Sequence, residues 1–249
     1  MKRVKLTVAY DGTAYSGWQL QPHARTIEGE LNRCLCELLS EEIQVIGASR
    51  TDAGVHALCN VAVFDTKTRI PAEKISYALN QRLPEDIRIQ DSCEVSADFH
   101  PRRCDSRKTY EYRILNAAFP VPTRRLYAHF TYVPLDVERM RGAAAVLVGE
   151  HDFKSFCSSA TAVESTVRRI LDIRVGKDGD EITIRVCGTG FLYNMVRIIA
   201  GTLMEVGRGS YPPEHVRKIL ELRDRKAAGP TAPACGLTLI RYEFFPKDC

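Results

Sequence analysis

No apolar stretch in the sequence approaches the roughly 18 residues that a membrane-spanning helix needs, because the longest candidates are interrupted by Arg197, Glu205 or Gly149. A secretion signal is lacking too: Met1-Lys2-Arg3 is basic, but the apolar stretch behind it ends at Asp11, too early for a signal-peptide core. The expectation is a soluble, cytoplasmic protein. There is little excess of either charge, with 35 Lys and Arg against 31 Asp and Glu, and 45% of the 249 residues are hydrophobic, so the composition is not that of a disordered chain. A second close pair of cysteines is also missing. Nine cysteines in a long chain without an export signal read as free thiols, and the one close pair, Cys34 and Cys36, points to different faces of an expected helix. Neither a disulfide framework nor a structural zinc site is expected.

What is present suffices for one substantial core or two small ones. Val4-Lys5-Leu6-Thr7-Val8-Ala9-Tyr10 alternates with period two and predicts a strand, and Ile27, Leu31, Cys34, Leu35, Leu38 and Leu39 recur at helical spacing behind Thr26, a good N-cap. Two further strands are expected at Ile43 to Ala48 and Leu58 to Phe64, then a helix from Pro71 to about Arg82 and a strand from Ile87 to Val95. The order β-α-β-β-α-β is the ferredoxin-like motif, an antiparallel sheet with both helices on one face. The second half repeats it with insertions. It offers a strand from Thr109 to Leu115, a helix from Val137 to Val148, a hairpin of Ile170 to Val175 and Glu181 to Val186, a helix from Leu192 to Val206 and a last strand from Leu237 to Phe244. An extra amphipathic helix, Pro213 to about Arg225, precedes that strand. The expected fold is α+β, with two ferredoxin-like halves, 1–105 and 106–249, mixed but mainly antiparallel sheets flanked by helices, and a central cleft where a ligand would bind.

Charge is unevenly spread along the chain: residues 1 to 105 carry 13 basic and 15 acidic side chains, residues 106 to 249 carry 22 and 16. From Arg102 to Arg125, the residues Arg102, Arg103, Arg107, Lys108, Arg113, Arg124 and Arg125 stand against only Asp105 and Glu111, a stripe that suits a phosphate backbone or a solvated face. Asp52 sits in Ala48-Ser49-Arg50-Thr51-Asp52-Ala53-Gly54-Val55-His56, a break between two expected strands. Asp and Gly at that spacing fit a turn, while Arg50 two residues earlier suits an ionised, oriented carboxylate. One Asp and one His make a poor metal site. Gly188-Thr189-Gly190-Phe191-Leu192-Tyr193-Asn194-Met195-Val196-Arg197 follows a strand and opens a helix, but it is no P-loop and lacks the third glycine of a dinucleotide fingerprint, so no nucleotide cofactor is expected. Arg197, in an apolar helix, must leave the core or meet a buried partner, for which a carboxylate is the natural choice. Tyr110 and Tyr112 share one face of a strand, either as core residues with their hydroxyls at the rim or, beside Lys108 and Arg113, as platforms for a nucleic-acid base.

Five strings stand in one order: Tyr10-Asp11-Gly12-Thr13-x-Tyr15-x-Gly17-Trp18-Gln19, Arg50-Thr51-Asp52-Ala53-Gly54-Val55-His56, Lys108-Thr109-Tyr110-Glu111-Tyr112, Gly190-Phe191-Leu192-Tyr193-Asn194-Met195-Val196-Arg197 and Ala232-Pro233-Ala234-Cys235-Gly236-Leu237. In them the chain resembles, over nearly its whole length, the TruA-type tRNA pseudouridine synthases. The resemblance implies isomerisation of uridine to pseudouridine at the nucleotides conventionally numbered 38 to 40 in the anticodon stem-loop of tRNA. The N-glycosidic bond is broken, the uracil turns, and C5 is joined to the ribose without cofactor or metal. By the same resemblance Asp52 is the catalytic aspartate, a nucleophile toward the sugar or the base. Arg50 helps hold the flipped-out nucleotide, Tyr110 stacks on the target uracil and takes part in proton removal, and Arg197 pairs with the aspartate. Flipping the base costs a few kcal/mol, to be offset by the stacked ring and by phosphate contacts of Arg102, Arg107 and Lys108. The family also implies a homodimer. Ser49 stands where Gly is frequent, Cys59-Asn60 where Gly-Gln is frequent and Thr238 where an aromatic residue is common, departures that bear on the pocket floor more than on the chemistry. Two other readings differ in kind. A non-catalytic tandem ferredoxin-like RNA-binding protein would have no use for an Asp52 and Arg197 pair, and a metal-dependent hydrolase would need a second Asp or His cluster near Asp52.

Overall fold

In the computed structural model, which describes residues 1–158 and 163–245, the alternation after Arg3 becomes β1 (Lys2–Tyr10), with Val4, Leu6, Val8 and Tyr10 buried. The next element, α1 (Ile27–Leu39), starts at its cap: Thr26 Oγ1 accepts the Gly29 amide at 3.2 Å, and Ile27, Leu31, Cys34 and Leu35 form the buried stripe. The strand expected from Ile43 to Ala48 shrinks to β2 (Ile46–Gly47). Its first residues give their amides to α1 instead of to a ladder, Val45 N–H to Asn32 Oδ1 at 2.8 Å and Ile43 N–H to the Cys36 sulfur at 3.3 Å. Their apolar side chains are buried all the same, which is why the sequence looks strand-like there. β3 (His56–Thr66) is longer than its apolar run, α2 (Ala72–Asn80) follows Pro71, and β4 (Ile87–Val95) has the expected bounds. β1 lies antiparallel between β3 and β4, with Leu6 opposite Ala62 on one side and Ser92 on the other, and β2 joins β3 with Ile46 opposite Val63. That is the strand order of the ferredoxin-like motif.

The chain continues through β5 (Ser106–Asn116), β6 (His129–Thr131), α3 (Val137–Ala145), β7 (Gly149–Asp152), β8 (Val167–Asp178), β9 (Glu181–Gly188), α4 (Met195–Arg208) and α5 (His215–Leu222). β9 lies antiparallel between β5 and β8, β7 adds to β8, and β6 runs parallel to β5. β6 and β7 are too short for periodicity to reveal. α4 begins at Met195 rather than Leu192 because Asn194 takes a left-handed φ of 60°, after a turn in which the Leu192 carbonyl accepts the Met195 amide at 3.1 Å. The last strand, β10 (Leu237–Phe244), runs parallel to β3 with Thr238 opposite His56. Two compact units result, Met1–Ser106 with Thr238–Cys249 and Arg107–Leu237, so from Thr238 onward the last strand is grouped with the first unit. No helix of the described residues is long and apolar enough to cross a membrane.

Candidate active site

Arg50 and Asp52 lie in the loop between β2 and β3, where burial alternates: Ser49 and Thr51 are buried, Arg50 is exposed and Asp52 is half-buried. The turn that Asp and Gly suggest is present, with the Val55 N–H donating to the Asp52 carbonyl at 3.1 Å and Gly54 at a φ of 76°. The inward residues are held from two sides. From β3, the fully buried Asn60 accepts the Ser49 N–H on Oδ1 at 3.3 Å, and its Nδ2 donates to the Ser49 carbonyl at 3.0 Å and to Tyr10 Oη at 3.2 Å. Tyr10 Oη also shares a hydrogen bond with Thr51 Oγ1, 2.8 Å away, which either hydroxyl can donate. Burial pushes the Tyr10 hydroxyl well above its ordinary range, so it stays protonated.

From the other side comes the segment after β1. Trp18 N–H donates to the Thr51 carbonyl at 3.0 Å, Gly54 N–H to the Tyr15 carbonyl at 3.2 Å, and Gly12 N–H to the buried His56 Nδ1 at 3.1 Å. The approach is so close that a Cβ on Gly12 would lie 2.0 Å from the Val55 carbonyl oxygen, and one on Gly17 2.6 Å from that of Thr51. The Tyr10-to-Trp18 string is thus the bed of the Asp52 loop, a relation that spacing alone does not reveal. Arg102 adds a tie from outside, Nε donating to the Gly47 carbonyl at 2.9 Å. Ser49 Oγ is the one buried side-chain polar atom without a hydrogen-bond partner among the described residues.

In the second unit β5 carries Arg107, Lys108 and Tyr110. Lys108 is opposite Gly188 of β9 and Tyr110 opposite Val186. The buried Tyr110 ring meets Phe191 edge-on, centroids 5.2 Å apart, and the Tyr112 hydroxyl donates to the Pro233 carbonyl at 2.9 Å. Burial lowers the Lys108 ammonium to about 8. Between the two tyrosines, Glu111 is 2% exposed and lies 2.7 Å from Arg113 and 2.5 Å from Arg185. Burial pushes its carboxyl up, but the two guanidiniums outweigh that and hold it below the usual range. Arg113 therefore already has a carboxylate partner, as has Arg124 in Glu181 at 3.2 Å, which narrows the basic stripe read from the sequence. Arg197 stands in the first turn of α4. Its Nε donates to the Ala232 carbonyl at 2.8 Å and its Nη1 to Asn194 Oδ1 at 2.9 Å, so the guanidinium in this apolar helix is met by polar groups.

Arg50, Asp52 and Arg102 thus belong to the first unit, and Arg107, Lys108, Tyr110 and Arg197 to the second. Among the described residues no three His, Cys, Asp or Glu side chains are grouped so as to hold a metal ion. A family model described as tRNA pseudouridine synthase matches residues 6–102 and 143–244. The chain belongs to that family. As a pseudouridine synthase it is an isomerase acting on tRNA. It is 47% identical over 241 residues to the tRNA pseudouridine synthase A of Thermoanaerobacter sp. (strain X514), covering 97% of this chain and 99% of that one. The synthase of the same name from Brevibacillus brevis is 49% identical over 239 residues, 96% of this chain and 98% of its own. That of Syntrophomonas wolfei is 44% identical over 248 residues, 100% of this chain and 99% of its own. Arg50, Asp52, Arg102 and Arg197 fall inside the residues matched by the family model, whereas Arg107, Lys108 and Tyr110 fall between its two stretches.

Proposed function

We propose that this synthase forms pseudouridine at the nucleotides conventionally numbered 38, 39 and 40 in the anticodon stem-loop of tRNA, acting as a homodimer and without a cofactor. Asp52 is the nucleophile, Arg50 holds the flipped-out nucleotide, and Tyr110 stacks on the uracil and takes part in removing the C5 proton. Arg197 pairs with the aspartate, and Arg102, Arg107 and Lys108 meet phosphates. The observation that carries this reading is the Asp52 loop: its inward residues are locked by buried hydrogen bonds, while between and after them Arg50 is exposed and Asp52 half-buried. Binding and catalytic residues concentrate on loops that a rigid scaffold positions in this way.

The test is release of tritium from a tRNA transcript labelled at uridine C5, because joining C5 to the ribose expels that label. Transcripts with cytidine in place of each of the three uridines in turn locate the reaction. Release should disappear when all three are replaced; undiminished release would place the target elsewhere in the tRNA. Sedimentation of the free protein tests the dimer.

A further inference from the structure

Asn60 has 0% of its surface exposed and stands in β3 opposite Val8 of the neighbouring β1, at a depth that apolar side chains usually fill. A buried carboxamide is tolerable only when its polar atoms are satisfied, and here both N–H groups and the carbonyl oxygen are engaged. Apart from the Val61 amide, every one of those bonds leads to a residue beside Arg50. Oδ1 and Nδ2 grip the amide and the carbonyl of Ser49, and Nδ2 reaches Thr51 Oγ1 through Tyr10 Oη. Ser49 and Thr51 are the buried neighbours of the outward Arg50, and Thr51 directly precedes Asp52. Holding 49 and 51 from within sets the directions in which the side chains of 50 and 52 leave the backbone. The anchors lie on the two paired strands β1 and β3, so the loop takes its position from the sheet of the first unit.

We infer that Asn60, together with Tyr10, is a positioning residue for the isomerisation, clamping the chain on either side of Arg50 through the Ser49 backbone and the Thr51 hydroxyl, so that Asp52 is presented in one orientation. The inference rests on the reading of Asp52 as the nucleophile. A carboxylate displaced by about 1 Å can lose on the order of a hundredfold in rate without any change in what binds, which is the signature of positioning as opposed to a merely structural role.

The experiment compares Asn60→Leu, Asn60→Gln and Tyr10→Phe with wild type and with Asp52→Asn. Single-turnover tritium release, tRNA affinity by filter binding and the thermal transition are each measured. For Asn60→Leu the single-turnover rate should fall about tenfold to a hundredfold, with tRNA affinity within about twofold of wild type. Asn60→Gln keeps the carboxamide and should recover most of the rate. Asn60→Leu reacting at the wild-type rate would overturn the inference. So would rate and affinity falling by the same factor with no recovery in Asn60→Gln. If Asn60→Leu does not fold, Tyr10→Phe decides: removing one hydroxyl from the chain should slow the chemical step several-fold at unchanged affinity, and a wild-type rate would overturn the inference. Asp52→Asn separates this failure from the larger one, since release by that variant would remove the nucleophile itself, whatever Asn60 does.

Discussion

Arg50 and Asp52 stand on irregular backbone, held by side chains and amides from three separate stretches of the first unit, whereas Tyr110 and Arg197 stand on a strand and a helix of the second. A ladder places Tyr110 opposite Val186 whatever its side chain does, and α4 places Arg197 one turn in from Asn194. The Asp52 loop has no such default. Its geometry exists only while Asn60, Tyr10 and the glycines beneath it are in place. The difference teaches where substitutions should separate rate from stability. Changes at the outward loop residues should alter chemistry more than folding, while changes on the regular elements of the second unit should alter both, because the same side chains serve the core.

The sharpest test of that contrast is Asp52→Asn, which removes a charge from a half-buried position without changing its size. Tritium release should fall by about a thousandfold or more, with a loss of stability no larger than the pairing with Arg197 is worth, about 1 to 3 kcal/mol. Residual release near the wild-type rate would end the role assigned to Asp52. Arg197→Met should behave differently. It strands the Ala232 carbonyl and Asn194 Oδ1, which now receive its guanidinium, and should lower stability by about 2 to 4 kcal/mol along with activity. Combined with Asp52→Asn in a double-mutant cycle, it also tests the pairing proposed for the two, which predicts a coupling of about 1 to 3 kcal/mol and no additivity.

Tyr110 divides the two tasks given to one ring. Tyr110→Phe keeps the edge contact with Phe191 and the face for stacking, so tRNA binding should survive while the chemical step slows by about a hundredfold if the hydroxyl helps move the C5 proton. Tyr110→Leu should lose about 1 to 3 kcal/mol of base stacking as well as the ring contact, and so should fail in binding and in stability together. If Leu matched wild type in both, Tyr110 would be only a core residue at its rim.

How much of this could be read from the sequence depended on how local the deciding interaction was. The Thr26 cap and the bounds of β4 follow from neighbouring residues, and both are visible in the pattern of residues 26 to 39 and 87 to 95. Ile43 to Ala48 looked like a strand because Ile43 and Val45 are buried, but their amides are taken by Asn32 and Cys36 of α1, partners that no strand pattern names. The role of Asn60 was hidden for the same reason. In the sequence it is a polar residue within the apolar run of β3 and, with Cys59, a departure from the family's frequent Gly-Gln, but its partners Tyr10 and Ser49 lie far off along the chain. Glu111, which counted simply as a negative charge in the basic stripe, is the buried centre of two ion pairs.

A smaller effect is expected at Lys108, whose ammonium burial lowers to about 8. As pH rises from 7 to 9 the folded chain loses this charge, so affinity for tRNA should fall by an amount that Lys108→Met abolishes. Stability should move the other way. Between about 8 and the ordinary lysine value the unfolded chain holds the proton and the folded chain does not, so the cost of burying this charge is progressively relieved and stability rises as pH climbs through that window. Filter binding and thermal melts at the two pH values check both signs. An affinity that does not change with pH would take Lys108 out of the phosphate contacts.

The smallest change, and the only one predicted to raise stability, is at Ser49. Its amide and carbonyl are gripped by Asn60, yet its hydroxyl is buried without a partner among the described residues. Leaving a buried hydroxyl unsatisfied costs about 1 to 3 kcal/mol, and Ser49→Ala removes that penalty while keeping the backbone groups that Asn60 holds. The variant should unfold about 1 kcal/mol later than wild type by denaturant titration. Ser49→Gly removes the same hydroxyl but enlarges the freedom of the unfolded chain, which costs roughly 0.5 to 1 kcal/mol, so it should come out close to neutral. The ranking Ala above Gly, with Gly near Ser, is what distinguishes an unsatisfied hydroxyl from a simple preference for a small residue in the loop. If Ala were destabilising, the hydroxyl would have a partner after all, and the contrast between a loop clamped through its backbone and a unit ordered by its ladders would lose its clearest local sign.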